Sequence, residues 1–463
     1  MEITYVHLVG LVVTVIIVIG SGIYSAPNVK SAEGYSLGGR SSGAILISGS
    51  IAGTVVGGGA TVGTAQLAYS LGLSAWWFTL GSGIGFILLG IFYARPLRKT
   101  GLETIPQYLV LNYGKMAGSL ASVIASIGIL FSAVASCLPG IQIIAAIFDL
   151  TPWSAAVLLI MLVIGYIFFS GMKGAGVSGM MKLIIIWITL FTAGGTACFS
   201  LYGMRNFWLM FPSDPWFSFL GKSPWETVGN LFSLIVGIIC TQTYIQTIFS
   251  ASDSRTAAVG SFAAALVVIP VGLPSIAIAM FMHATHPHIL PILALPMYLL
   301  QYQPAWLGGI GIAGIMLSLI GSISGLALGI GTMVSKDICY ELLDIRKTER
   351  VLLVNRSTVV IVTFIACLIA ILNLKSNVLD WNYMSMALRG GGIFIPLTLA
   401  VFAPGILAPG WAVASMVLST IAAIVAKTIL HLEINPLFVG IGVSAVFIII
   451  GMIFRRKEYV MNS

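Results

Sequence analysis

Apolar residues in this chain gather into long runs separated by short polar stretches, where most of the charges fall. A helix needs about 20 apolar residues to cross roughly 30 Å of hydrocarbon, and about thirteen runs reach that length. They are 5–25, 43–69, 73–94, 116–147, 153–170, 177–202, 226–249, 257–282, 305–335, 353–373, 381–403, 407–430 and 435–454. The pattern predicts an all-α integral membrane protein. Two runs carry an interruption: GSIAGTVVGGGATVG at 49–63 and GIICTQTYIQT at 237–247. In lipid every backbone N–H and C=O needs a partner inside the protein, so unwound chain survives at membrane depth only where it lines a cavity. Glycines also let membrane helices pack closely, but at every fourth position. Three in succession, Gly57, Gly58 and Gly59, instead weaken a helix by about 1 kcal/mol each, which favours the cavity reading.

Composition agrees, since 58% hydrophobic residues, 8% charged residues and a mean hydropathy of +1.05 cannot solvate a 463-residue globule. No soluble domain fits between the runs. The first run lacks a cleavage-type small-residue site and reads as a retained span. The net charge of +8 follows from topology, because short cytoplasmic loops collect Lys and Arg. With the N-terminus outside and the C-terminus cytoplasmic, Lys30, Arg40, Arg95, Arg98, Lys99, Lys115, Lys173, Arg255, Lys336, Arg346, Lys347, Arg350 and the tail at 455–457 lie inside. Only Arg205, Lys222 and Lys375 fall clearly outside. The expected location is therefore the plasma or inner membrane, with the bilayer as partner, no nucleic acid and no obligatory protein partner.

The five cysteines show no metal spacing, and the histidines of HATHPH at 283–288 read as solvated loop residues. The stretch 94–114 reads as an amphipathic inner surface segment. The Trp-rich stretch 205–226 reads as an outer interfacial cover. The stretch 287–304, broken by Pro291 and Pro296, reads as a re-entrant or surface helix pair.

YSLGGRSSG at 35–43, followed by the glycine-rich span, resembles the sodium:solute symporter family, whose sodium/proline permeases have a similar LGGR stretch. ETIPQYL at 103–109 is similar to that family's T-x-P loop, and QTYIQTIFSASDSRTA at 242–257 to a glutamine-rich segment ending in Asp. GSISGLALGIGTMVSKDI at 321–338 resembles its helix ending in Asp-Ile. The resemblance implies a leucine-transporter-like core of two inverted five-helix repeats, each with a discontinuous first helix. Its expected divisions are an extra span and inner loop at 1–42, a first repeat at 43–202, an outer loop at 203–225, a second repeat at 226–403, and two final spans with a basic tail at 404–463.

The resemblance also implies a sodium site. It would use carbonyls at Gly53 and Val56, facing Ser318, Gly321 and Ser322, oxygen donors that suit a hard cation. The chain departs from its relatives where many have two adjacent hydroxyl residues and it has Gly321 and Ser322. An aspartate of several relatives falls here on Gly179, and no Asp or Glu lies in the middle of any span. Lys182, one turn beyond Gly179, could aim its ammonium at the sodium position, its protonation replacing sodium. Alternatively it snorkels to the inner interface, which its closeness to the helix end favours. Arg389 is a costly intramembrane cation that either holds an anionic substrate group or locks the helix through backbone carbonyls.

Amides and hydroxyls avoid lipid, so Thr54, Gln66, Gln142, Gln242, Tyr244 and Gln246 are expected to face the substrate cavity with Arg389. Interrupted helices at matching places in two halves are the mark of a secondary transporter. The expected activity is symport of a small organic solute, anionic or zwitterionic if Arg389 holds it, with Na+ and no other cofactor. Proton coupling or uncoupled transport through Lys182 is the alternative. A channel is the rival class, though no ring of charges or repeated filter sequence is present. No grouping of nucleophile, acid and metal ligands speaks for an enzyme.

Overall fold

The computed structural model describes residues 3–25, 37, 40–167, 171–203, 207–221, 223–340, 348–430 and 432–461. Outside these lie Tyr35, Ser36, Gly38 and Gly39 of the LGGR stretch, as well as Lys30, Arg205, Lys222, Arg346 and Lys347.

The described chain is helical, and each of the about thirteen apolar runs coincides with a helix or helix pair. The helices are α1 (Tyr5–Ser25), α2 (Ala44–Val55), α3 (Thr64–Leu71), α4 (Trp77–Leu88), α5 (Ile105–Tyr113), α6 (Lys115–Phe148), α7 (Pro152–Ile167), α8 (Gly171–Tyr202) and α9 (Pro224–Ile239). They continue with α10 (Gln242–Phe249), α11 (Ser254–Val268), α12 (Gly272–Thr285), α13 (Ala294–Gln301), α14 (Ala305–Met333), α15 (Thr348–Leu372), α16 (Val378–Phe402), α17 (Pro409–Thr428) and α18 (Pro436–Met461). Among the described residues ten helical segments are long and apolar enough to cross a membrane, and four shorter apolar helices accompany them.

α14 is the hub. Its apolar window is 94% buried, against 28% for α18, which shows a lipid-facing surface. Glycines let α14 serve so many neighbours: a Cβ at Gly311 would sit 3.2 Å from Leu299, one at Gly314 3.0 Å from Ile185, and one at Gly325 3.0 Å from Thr54. Close approach through small residues is how membrane helices associate without a hydrophobic driving force. α2 and α8 use the same device, and a Cβ at Gly53 would lie 3.1 Å from the Gly179 backbone.

Both interruptions are real. α2 ends at Val55, Val56 adopts φ −73° and ψ 66°, and the chain resumes as a π-turn at Gly59–Gly63 before α3. α9 ends at Ile239, Thr241 is extended (φ −90°, ψ 111°), and α10 starts at Gln242. This is the discontinuous first helix of each repeat in a leucine-transporter-type core.

The connecting segments differ from the sequence reading in detail. ETIPQYL is a helix start: Thr104 caps α5 by accepting from the Gln107 N–H, and Gln107 reaches back in a capping box. The 287–304 stretch forms a single short turn at Pro291–Leu293 followed by α13, packed on α12 and α14. His283 is not a solvated loop residue, for its ring packs edge-on against Tyr69 at 5.1 Å and near Trp216 at 4.7 Å. Among the described residues no group of three His, Cys, Asp or Glu could hold a metal ion.

Candidate functional site

Unwinding a helix frees its last carbonyls, and at the end of α2 these point at α14. Ser322 Oγ donates to the Thr54 carbonyl at 2.5 Å, and Ser318 Oγ donates to the Val56 carbonyl. The two serines lie one turn apart on the face of α14 that also carries Gly321 and Gly325. The approach requires glycine at 57, where any Cβ would overlap the Ser322 hydroxyl.

Lys182 completes this corner and does not snorkel, being only 1% exposed. Gly179, one turn earlier, rests on the Gly49 carbonyl and so brings α8 against α2. The lysine stem then runs past Gly53 and delivers Nζ to the Ser318 carbonyl, 3.3 Å away. The ammonium fills the space over Gly321, where a Cβ would overlap it, with the Tyr166 hydroxyl alongside. A cavity of about 20 Å³, room for a water or a bare ion, is lined here by Gly53, Thr54, Tyr166, Lys182, Gln246 and Gly321 among others. Of the expected sodium ligands, the structure brings together Gly53, Val56, Ser318, Gly321 and Ser322, and it sets the Lys182 ammonium among them.

A second cavity of about 20 Å³ lies on the other side of Thr54, which lines both. Its walls are Gly57, Gly58 and Gly59 of the first interruption, Phe78, Ser82, Ser132 and Ser136, Tyr244 beyond the second interruption, and Asn382 and Met386 of α16. The Phe78 ring meets Tyr383 edge-on at 6.1 Å. Tyr383 in turn lines a vestibule of about 550 Å³ that includes Glu226, Asp380, Lys427 and Glu433. At the opposite end, the Lys336–Glu103 ion pair (2.9 Å) and the Thr104 hydroxyl on Asp337 (2.7 Å) tie the α5 loop to the segment after α14.

Arg389 is fully buried beside the second cavity. Its Nε donates to the Ser385 carbonyl (3.1 Å), Nη1 to Thr241 Oγ1 (2.8 Å), and Nη2 to the hydroxyls of Ser132 (3.2 Å) and Ser385 (2.8 Å). The guanidinium therefore ties α16 to α6 and to the second interruption, and its stem lies on Gly128. This is the geometry of a helix lock, with no carboxylate among its hydrogen-bond partners in the described residues.

The remaining expected substrate residues scatter. Tyr244 and Thr54 line the second cavity, while Gln246 lines the first and donates to Thr332 Oγ1 at 3.1 Å. Gln66 accepts from the Val378 N–H at 3.0 Å, and Gln142 donates to the Leu374 carbonyl at 2.7 Å. Gln242 bridges the Glu103 carbonyl (3.0 Å) and the Ile105 N–H (2.9 Å). The sequence reading did not name Phe78, Ser82, Ser132, Ser136, Tyr166 or Asn382. Ser132 and Ser136, four apart inside an apolar run, were the available signal for a polar helix face.

Residues 35–418 match the sodium:solute symporter family. The chain belongs to this family. Among similar members, the high-affinity choline transporter 1 of Drosophila melanogaster is 24% identical over 386 residues, covering 78% of this chain and 62% of that protein. The chain thus spans less than two thirds of the choline transporters it matches. The sodium/sialic acid symporter NanT of Aliivibrio fischeri is 24% identical over 462 residues, covering 93% of this chain and 89% of NanT. A solved substrate-bound, outward-open Na+-coupled sialic acid symporter superposes with a TM-score of 0.81 at 19% identity, covering 98% of this chain and 97% of the other. Family membership and the apolar helices make the chain a multi-pass membrane protein of this family, and the likeness to the solved symporter shows that it shares that fold.

Proposed function

We propose that this protein is a secondary active transporter that carries a small organic solute together with a cation by alternating access. The observation that carries the reading is the pair of adjoining cavities at the two helix interruptions, which share Thr54 as a common wall. Solute binds among Gly59, Phe78, Ser132, Tyr244 and Asn382, and the driving cation sits among Gly53, Val56, Ser318, Gly321 and Ser322. Sodium is the family's ion, and the relatives named for sodium coupling support it at that level. Arg389 and Lys182 put two buried cations beside these cavities, and no Asp or Glu occurs on α2, α6, α7, α8, α10 or α14. That imbalance favours an anionic or zwitterionic solute, because a carboxylate relieves the positive field where a cationic solute would add to it. The basic loop residues, Arg98 and Lys336 among them, support an N-terminus outside and a C-terminus in the cytoplasm.

Counterflow in proteoliposomes tests the reading. Vesicles preloaded with an unlabelled amino acid, hydroxy acid, sialic acid or choline are given the labelled form at trace concentration. Trans-stimulated uptake of a carboxylate-bearing solute is expected, and choline uptake alone overturns the charge argument. Ion conductance without trans-stimulation by any solute would show a channel.

A further inference from the structure

Resting on the carrier reading, we propose that the vestibule is a second binding site, built for a zwitterion: Glu226, Asp380 and Tyr383 receive the solute's ammonium group there before its carboxylate enters the bundle. The vestibule measures about 550 Å³, and its walls carry three carboxylates, Glu226, Asp380 and Glu433, against one ammonium, Lys427. The solute cavity at the interruptions measures about 20 Å³ in this conformation, room for one water. An organic solute of several heavy atoms therefore fits the vestibule first.

Acidic walls alone would attract any cation, and two further features define a ligand. Tyr383 is 8% exposed, lines the vestibule, and its hydroxyl has no hydrogen-bond partner among the described residues. The charges of Asp380 and Glu226 reach that hydroxyl. A buried phenol without a partner forfeits a hydrogen bond, which an N–H donor on the solute restores. Asp380 accepts from Asn377 Nδ2 at 3.0 Å and keeps further lone pairs for the same donor. The second feature is a side pocket of about 80 Å³, walled by the same Glu226, Asp380 and Tyr383 together with the apolar Leu67, Leu71 and Trp77. Carboxylates beside apolar surface suit an ammonium carried next to a short apolar side chain.

The field sets which end of the solute enters first. Along α16, Asp380, Tyr383, Met386 and Arg389 recur every third residue and so follow one another down the helix. Asp380 and Tyr383 line the vestibule, Met386 lines the solute cavity, and Arg389 is buried beside it. The helix rise from Asp380 to Arg389 is roughly 13 Å. Negative charge at the mouth and positive charge within draw in a zwitterion with its carboxylate leading, whereas a plain anion is repelled at the mouth and a plain cation within.

The experiment is counterflow by the purified full chain in proteoliposomes with matched solutes. Alanine is set against lactate and leucine against 2-hydroxyisocaproate, pairs that exchange ammonium for hydroxyl, with glycine betaine, sialic acid and choline alongside. Each is scored by the concentration that half-saturates or half-inhibits counterflow. Wild type is expected to carry at least one of the zwitterions, at a concentration at least about tenfold below those of the hydroxy acids, sialic acid and choline. Glu226→Gln combined with Asp380→Asn should raise the value for the zwitterion about tenfold and leave or lower that for the hydroxy acids. The ratio is the readout, because a packing defect weakens both kinds of solute together. Tyr383→Phe should move the ratio the same way by about threefold. Should the double variant not fold, wild type and Tyr383→Phe decide on the same ratio. Hydroxy acids, sialic acid or choline working as well as the zwitterions, or a ratio unmoved by the variants, overturns the zwitterion site and leaves the carrier intact. Absence of counterflow for every solute overturns the carrier reading and this inference with it.

Discussion

At the first interruption the chain turns on Val56 and three glycines, and the cation beside it, Lys182, reaches one carbonyl. At the second the chain turns on Cys240 and Thr241, and the cation beside it, Arg389, donates to three hydroxyls and a carbonyl on three different elements. Both cations lie near the C-terminal end of a half-helix, where the partial negative charge of freed carbonyls favours them. The difference lies in the number of partners. A guanidinium fork satisfied on several sides fixes the helices it touches, whereas an ammonium with one carbonyl partner ties its helix to one neighbour only. The second interruption is thus tied by its cation on several sides, and the first by a single hydrogen bond.

The largest expected effect tests that contrast directly. Arg389→Met strips the donor from Ser132, Ser385 and Thr241 inside the bundle, and breaking a buried charged network from one side costs about 3–5 kcal/mol. Detergent-purified Arg389→Met should melt far below wild type or elute as aggregate in gel filtration. Arg389→Lys should fare little better, because one ammonium cannot span the fork. Lys182→Met, which removes a single hydrogen bond and keeps an apolar stem, should stay within about 1.5 kcal/mol of wild type. Equal losses for the two would erase the distinction drawn between the interruptions.

Next in size is Gly59→Ala. The added methyl would stand 2.6 Å from the Phe78 ring and 2.8 Å from Asn382 Nδ2, inside the solute cavity. Overpacking of this kind costs about 1–3 kcal/mol, enough to weaken solute affinity about tenfold or more. The half-saturation concentration in counterflow measures it, with the melting temperature as the control for a general packing defect. Ser322→Ala should do less. It deletes the donor to the Thr54 carbonyl, a loss of about 0.5–1.5 kcal/mol readable as a small drop in melting temperature.

The spans and the two interruptions were legible in the sequence because membrane burial leaves a coarse, long-range signature: run length, and glycines in succession at Gly57, Gly58 and Gly59. Which polar side chain faces which cavity was less legible. Gln66, Gln142 and Gln242 point inward as amides in lipid must, but they cap or bridge backbone groups at helix ends, and no spacing rule separates that use from solute binding. Lys182 shows the same limit from the other side. Its position near the start of the apolar run 177–202 suggested snorkelling, while the close packing of Gly179 on Gly49 and Gly53, a contact between distant segments, turns its stem into the bundle. Ser132, Phe78 and Asn382 belong to separate helices and converge only through the fold.

The smallest effect concerns the end of the molecule opposite the vestibule, where a charged and a neutral tie can be compared. The Lys336–Glu103 pair spans 2.9 Å, with side chains 18% and 12% exposed. Solvent and salt screen such a pair, so Lys336→Ala should cost about 0.2–1 kcal/mol, and less as ionic strength rises. Gln242 makes the neutral tie, holding both the Glu103 carbonyl and the Ile105 N–H from within the buried start of α10. Its contribution does not depend on salt. Melting curves of Lys336→Ala and wild type should therefore converge as salt is added. A gap that persists at high salt would mean that Lys336 holds this end by packing and not by its screened charge.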